Sequence, residues 1–161
     1  MFTQNDVDTN MGGIVAASFV YVSDIKDSFK LPGTHQLYIE LNSGKSWNPI
    51  YCSVGAELGE DESDEDGGLL YAPYLKVRYP KLSADITHQQ RLVTGQKLIV
   101  KVETSNGNTL YIGTPANPAQ YTFSKMNGGS GASFSGYQGI FKSVQPHSML
   151  FATDFAIQPQ A

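Results

Sequence analysis

The sequence predicts an all-β domain, an antiparallel β-sandwich or barrel with at most one short helix. Two observations predict it. Apolar residues alternate with polar ones over short stretches interrupted at close intervals by Gly, Pro, Asn and Ser, and helical stripes are nearly missing. The stretches also follow one another without the dozen or more residues that parallel neighbours need for a crossover, so adjacent strands pair antiparallel.

Taken in order, strands are predicted at 13–22, 35–42, 47–54, 69–79, 97–103, 109–113, 120–126, 134–142 and 149–157. The clearest local signal is "QKLIVKVETSNGNTLYIGTP". Leu98, Val100 and Val102 alternate with Lys97, Lys101 and Glu103, "SNGN" supplies residues suited to φ > 0, and Leu110 and Ile112 return. Pro115 and Pro118 end the returning strand, because proline donates nothing to a ladder. A second hairpin runs from "QYTFSKM" to "FSGYQGIFKS" through "NGGSGA", whose glycines free the backbone from Cβ restriction. The one predicted helix lies in "SADITHQQRLVTG", with Asp85 or Thr87 as its N-cap and Gly95 as its stop.

A chain of 161 residues is read as one β domain over 12–157, flanked by a polar, flexible N-terminal arm at 1–11 and a polar tail at 158–161. With 40% hydrophobic and 16% charged residues it is a turn-rich globular protein that needs no metal or disulfide to hold its core. It shows no apolar run of membrane-spanning length, and its first residues lack the basic and apolar regions of a signal peptide, so synthesis in the cytoplasm is expected. Cys52, the single cysteine, is expected in the core as a small hydrophobe.

Charge is unevenly distributed. The stretch "GAELGEDESDEDGG" at 55–68 holds seven carboxylates, Glu57, Glu60, Asp61, Glu62, Asp64, Glu65 and Asp66. Without them the chain has eight acids against eleven bases, so a mildly basic body carries a strongly acidic segment. The bases are scattered, which argues against specific nucleic-acid binding. The acidic segment is read as a solvated loop, extended by its own repulsion.

Other chemistries fit the residues poorly. An EF-hand reading with Gly67 at position 6 aligns Glu62, Asp64 and Asp66 but puts Pro73 where the closing Glu belongs, leaving at most a loose divalent-cation site. Acid/base catalysis requires burial or a fixed neighbour to raise a carboxyl pKa, and a hydrophilic run supplies neither. His35, His88 and His147 lie far apart without metal-ligand spacing. The glycine-rich "NGGSGASFSGYQG" lacks the Lys-Ser or Lys-Thr of a phosphate loop, and "GASFSG" misses the nucleophile-elbow spacing by one residue. No catalytic residue, metal or cofactor is therefore assigned. Trp47 with Tyr51, and Tyr71, Tyr74 and Tyr79, offer an alternative: aromatic stacking on sugars by a carbohydrate-binding or adhesion module.

The order of these features resembles a family. An N-terminal "MGGI" strand running to "VSDI", a central strand after an acidic segment, the hairpin ending "IGTPANPAQYTF" and a last strand pair around "GIFKSVQPHSMLF" are similar to small β-proteins of bacteriophage and prophage tail and neck modules. The resemblance implies a non-enzymatic virion protein that assembles into rings or tubes with itself and contacts other tail or neck proteins, away from membranes. It brings no catalytic residues. On this reading the hairpin with Lys97, Lys101, Asn106, Gly107 and Asn108 serves assembly. The acidic segment then lines or gates a passage through which DNA, itself anionic, slides, or it forms a solubilising outer brush.

Overall fold

The computed structural model describes residues 13–52, 56–131 and 134–153. The predicted N-terminal arm, the C-terminal tail and the outer ends of the strands predicted at 47–54 and 149–157 lie outside them.

The elements are β1 (Ile14–Tyr21), β2 (Ile25–Lys30), β3 (Gln36–Leu41), β4 (Asn48–Ile50), β5 (Glu57–Glu65), β6 (Gly68–Pro80), α1 (Ala84–Val93), β7 (Leu98–Thr104), β8 (Thr109–Ile112), β9 (Gln120–Asn127), β10 (Ser135–Lys142) and β11 (Leu150–Ala152). They form a two-sheet sandwich and not a closed barrel. One sheet has seven strands in the order β2-β3-β11-β8-β7-β1-β4, the other four in the order β5-β6-β10-β9. All pairs are antiparallel except β11 with β3, where Phe151 and Ala152 run parallel to Gln36 and Leu37.

Strand β7 shows why the fold forms. Leu98, Val100 and Val102 point between the sheets and are fully buried, packed with Ala17, Ile112, Leu75, Val77, Tyr121 and Phe141. Burying a side chain of this size contributes about 1.5–3 kcal/mol. Ile99 points to the opposite face, yet it too is fully buried, in a second cluster with Val20, Leu37, Tyr111 and Leu150. In a flat sheet β1 and β3 would stand about 19 Å apart, four strand spacings. Val20 of β1 and Leu37 of β3 nonetheless share one cluster, with Ile25 and Ile39 packed against it, so the seven-stranded sheet coils back on itself. Asn42 N–H donates to the Asp24 carbonyl at 2.8 Å and helps hold the curl.

The helix appears where the sequence places it, with a different cap. Ser83 is the N-cap, its Oγ accepting from Ile86 N–H at 3.1 Å, whereas Thr87, one of the expected caps, turns its hydroxyl back to the Ser83 carbonyl at 2.8 Å. Asp85, the other, lies in the first turn, where its charge suits the helix dipole. Buried Gln90 accepts a hydrogen bond from Tyr121, and the Tyr137 hydroxyl meets Ser83 and Thr87, so the helix is bolted to β9 and β10 across one mouth of the sandwich.

Two strands escape the sequence pattern. β2 pairs with β3 through a register irregularity between Ile25 and Asp27. The second, β5, is the acidic segment itself.

Candidate functional site

The seven acids do not form a loop. Glu57 to Glu65 pair residue for residue with β6, from Glu57 opposite Lys76 to Glu65 opposite Gly68, and Asp66 and Gly67 close the turn. Pairing overrides repulsion because β6 supplies a regular template and every β5 residue has a backbone partner. At Gly59 the missing side chain leaves room for the Tyr74 ring across the ladder. The Tyr74 hydroxyl donates to Glu57 Oε1 at 3.2 Å, and Lys76 Nζ lies 5.1 Å from the centre of the same ring. That bond to Glu57, first among its causes, raises the Tyr74 pKa.

The pleat divides the acids between two faces. Leu58 and Glu60 turn toward the sandwich, Leu58 packing against the main core. Glu60 is half-buried, its Oε2 accepting from Ser148 Oγ at 2.6 Å and its Oε1 from Met149 N–H at 2.7 Å. Of the remainder, Asp61, Glu62, Asp64 and Asp66 are exposed, and the Glu65 side chain lies outside the described residues. The ladder from β6 to β10 ends at Tyr74, followed by an isolated bridge from Tyr71 to Gln145, so the far end of the β5–β6 hairpin extends past β10 as a two-stranded projection. Among the described residues the ion pairs are Lys26–Glu40 and Lys45–Asp24, neither of which engages this segment.

The position of β5 matters most. It is an edge of the four-stranded sheet, and β9 is the other edge. An edge strand presents unpaired N–H and C=O groups. The hairpin assigned to assembly is placed differently: β7 lies between β1 and β8, and β8 between β7 and β11, so their ladders are satisfied on both sides. Only its turn is open, formed as expected, with Gly107 at φ +82° and Gly107 N–H donating to the Thr104 carbonyl at 3.0 Å. Asn106 and Asn108 share a cleft of about 390 Å³ with Glu57 and Leu58. Lys97 is exposed beyond the other end of β7, and Lys101 faces a polar groove of about 610 Å³ with His35 and Glu103.

Trp47 does not offer a bare platform. Its ring stacks on Tyr111 with centroids 5.9 Å apart, and Lys101 Nζ sits 4.5 Å from its centre. Tyr51 and Tyr79 line an apolar pocket of about 400 Å³ beneath α1, together with Phe19, Tyr121 and Phe141. No described lining residue of that pocket carries a carboxylate, imidazole, thiol or amine. Burial pushes Tyr79 up to about 12 and raises Tyr121 as well, which keeps both phenols neutral. Cys52 is half-buried against the main core, and burial pushes its thiol up, away from the thiolate that a nucleophile requires. Among the described residues no three His, Cys, Asp or Glu side chains gather to hold a metal ion, and no helix is long and apolar enough to cross a membrane.

No family model, curated protein or solved structure matches the chain.

Two features escaped the sequence reading. Glu60 is set apart by Ser148 and Met149, which no local pattern connects to it. The strand character of β5 had one signal, Asp66-Gly67 set between a charged run and the alternating β6, which marks a hairpin turn once the charged run is allowed to be a strand.

Proposed function

We propose that this chain is a non-enzymatic structural protein of a bacteriophage virion, in the tail tube or head-to-tail neck, that assembles into rings with copies of itself. The carrying observation is that, among the described residues, the four-stranded sheet ends on two edge strands, each paired on one side only, one of them the acidic β5. Protein surfaces of this kind associate by strand addition, with main-chain hydrogen bonds giving affinity and side chains giving selectivity. The assignment to a virion rests on the resemblance of the strand order and turn motifs to tail and neck proteins. Other tail or neck proteins are its expected partners, the virion its destination and the host cytoplasm its place of synthesis.

The full chain, purified and examined over rising concentration by sedimentation velocity and negative-stain microscopy, should give rings or tubes. A chain that stays monomeric throughout, with Trp47 fluorescence changing on addition of glycans, would overturn this reading in favour of a carbohydrate-binding module.

A further inference from the structure

We infer that β5 of one copy pairs with β9 of the next, so that the four-stranded sheet continues from subunit to subunit; this rests on the self-assembly reading and specifies its interface. Three observations converge on it. First, length and direction match. β5 has nine residues and β9 has eight, and the sheet order β5-β6-β10-β9 alternates strictly in direction. An even number of alternating strands means that a second copy in the same orientation presents its β5 antiparallel to the first copy's β9. The new pair is thus of the same kind as every other pair in the sheet.

Second, the two edges are complementary in charge. No Asp or Glu occurs between Glu103 and Asp154, so β9 carries no acid. Lys125 lies on the inward-facing side of β9, with Tyr121 and Phe123, and shares a cavity of about 550 Å³ with His88 and Arg91 of α1. All three basic side chains are exposed. On β5 the same inward-facing side carries Glu62 and Asp64 beyond Glu60. Joining the edges brings carboxylates to a lysine, an arginine and a histidine on one side of the sheet. On the other side, Asp61 and Ser63 meet the uncharged Thr122, Ser124 and Met126.

Third, charge opposes both like pairings. Two β5 edges placed together would set one acidic strand against another, and two β9 edges would bring the Lys125 and Arg91 of one copy toward the same residues of the next, so charge disfavours both isologous dimers and favours the heterologous contact that propagates into a ring or tube. Dense charge on an edge strand is a known guard against indiscriminate pairing. Here it also selects a partner, because β9 is the acid-free edge of the same sheet.

A charge swap tests the interface. One variant carries Arg91→Glu and Lys125→Glu, the other Glu62→Lys and Asp64→Lys; these side chains are exposed, and circular dichroism and thermal melting establish that each variant is folded. Each alone should show assembly weakened at least tenfold in sedimentation velocity. An equimolar mixture should restore it, because every junction in an alternating array is then complementary. A chain carrying all four substitutions should also assemble by itself, and high salt should weaken wild-type assembly. If wild type assembles and the variants assemble equally well, the β5–β9 interface is wrong while the self-assembly reading stands. If the single-edge variants are weakened but neither the mixture nor the fourfold variant recovers, edge complementarity is wrong. If wild type itself remains monomeric, both readings fall.

Discussion

Glu60 accepts a hydrogen bond from Ser148 Oγ at 2.6 Å, a contact between residues 88 positions apart that ties the acidic strand to the segment entering β11. The same carboxylate receives Met149 N–H at 2.7 Å. Glu60 is therefore part of the framework, and the two sheets are joined through it. Glu60→Ala leaves a half-buried N–H and a hydroxyl without their acceptor and should cost about 1–3 kcal/mol in urea unfolding. Glu60→Gln keeps one carbonyl oxygen and should cost less. Asp61→Asn and Glu62→Gln, on exposed side chains, should stay within about 0.5 kcal/mol of wild type. Equal effects at all three sites would show that the Glu60 contacts contribute nothing.

The Tyr137 hydroxyl meets the first turn of α1 at three points: Ser83 N–H at 3.1 Å, the Ser83 carbonyl at 2.8 Å, and the Thr87 hydroxyl. Removing it by Tyr137→Phe keeps the buried ring and deletes only these bonds. A loss of about 1–3 kcal/mol is expected. Hydrogen exchange should show faster opening at Ile86 and Thr87, with the β7 amides unchanged. Uniform acceleration across the chain would mean that the helix is not separately anchored there.

How much of this was legible in the sequence depended on where each residue's partners lie. β7 announced itself because Leu98, Val100 and Val102 all face the same core, and period-two patterning reports that directly. β5 was hidden because an edge strand buries little. Leu58 alone among its residues packs as a hydrophobe, and the strand is imposed by β6 rather than by its own alternation. β2 was missed for a related reason: the irregularity between Ile25 and Asp27 sends Ile25 to the face of Leu37 and Ile39 and Phe29 to the opposite face beside Tyr38, so its apolar residues follow no single period. The parallel pairing of β11 with β3 joins residues more than a hundred positions apart, which no local signal encodes. For the site, the seven carboxylates were visible as charge, but the selection of Glu60, the edge position of β5 and the matching edge at β9 are properties of the assembled sheet.

Gly136 marks a close approach between β10 and β6. Its φ is +153°, and a Cβ there would collide with the Tyr79 carbonyl oxygen while meeting the Phe134 ring at 3.0 Å. The obstacle is backbone in a paired strand, so it has no rotamer by which to retreat. Gly136→Ala should therefore destabilise by about 3 kcal/mol or more, through strain and lost pairing. Gly129→Ala, in open space in the connection between β9 and β10, should be near neutral. Comparable thermal midpoints for the two variants would refute the steric account.

Alkaline pH tests the buried tyrosines. Burial pushes Tyr79 up to about 12. In the unfolded chain a tyrosine ionises near pH 10, so between about 10 and 12 the unfolded state has released a proton that the folded state still holds. Stability is then full below about pH 10 and falls as pH rises toward 12, at roughly 1 kcal/mol per pH unit for each such tyrosine. Tyr121, whose pKa burial also raises, adds to the same slope. Urea melts at a series of alkaline pH values should show this decline. Tyr79→Phe should flatten it by about one tyrosine's share, leaving the part due to Tyr121. An unchanged slope in Tyr79→Phe would place the Tyr79 phenol in water, in contact with the same solvent as the unfolded chain.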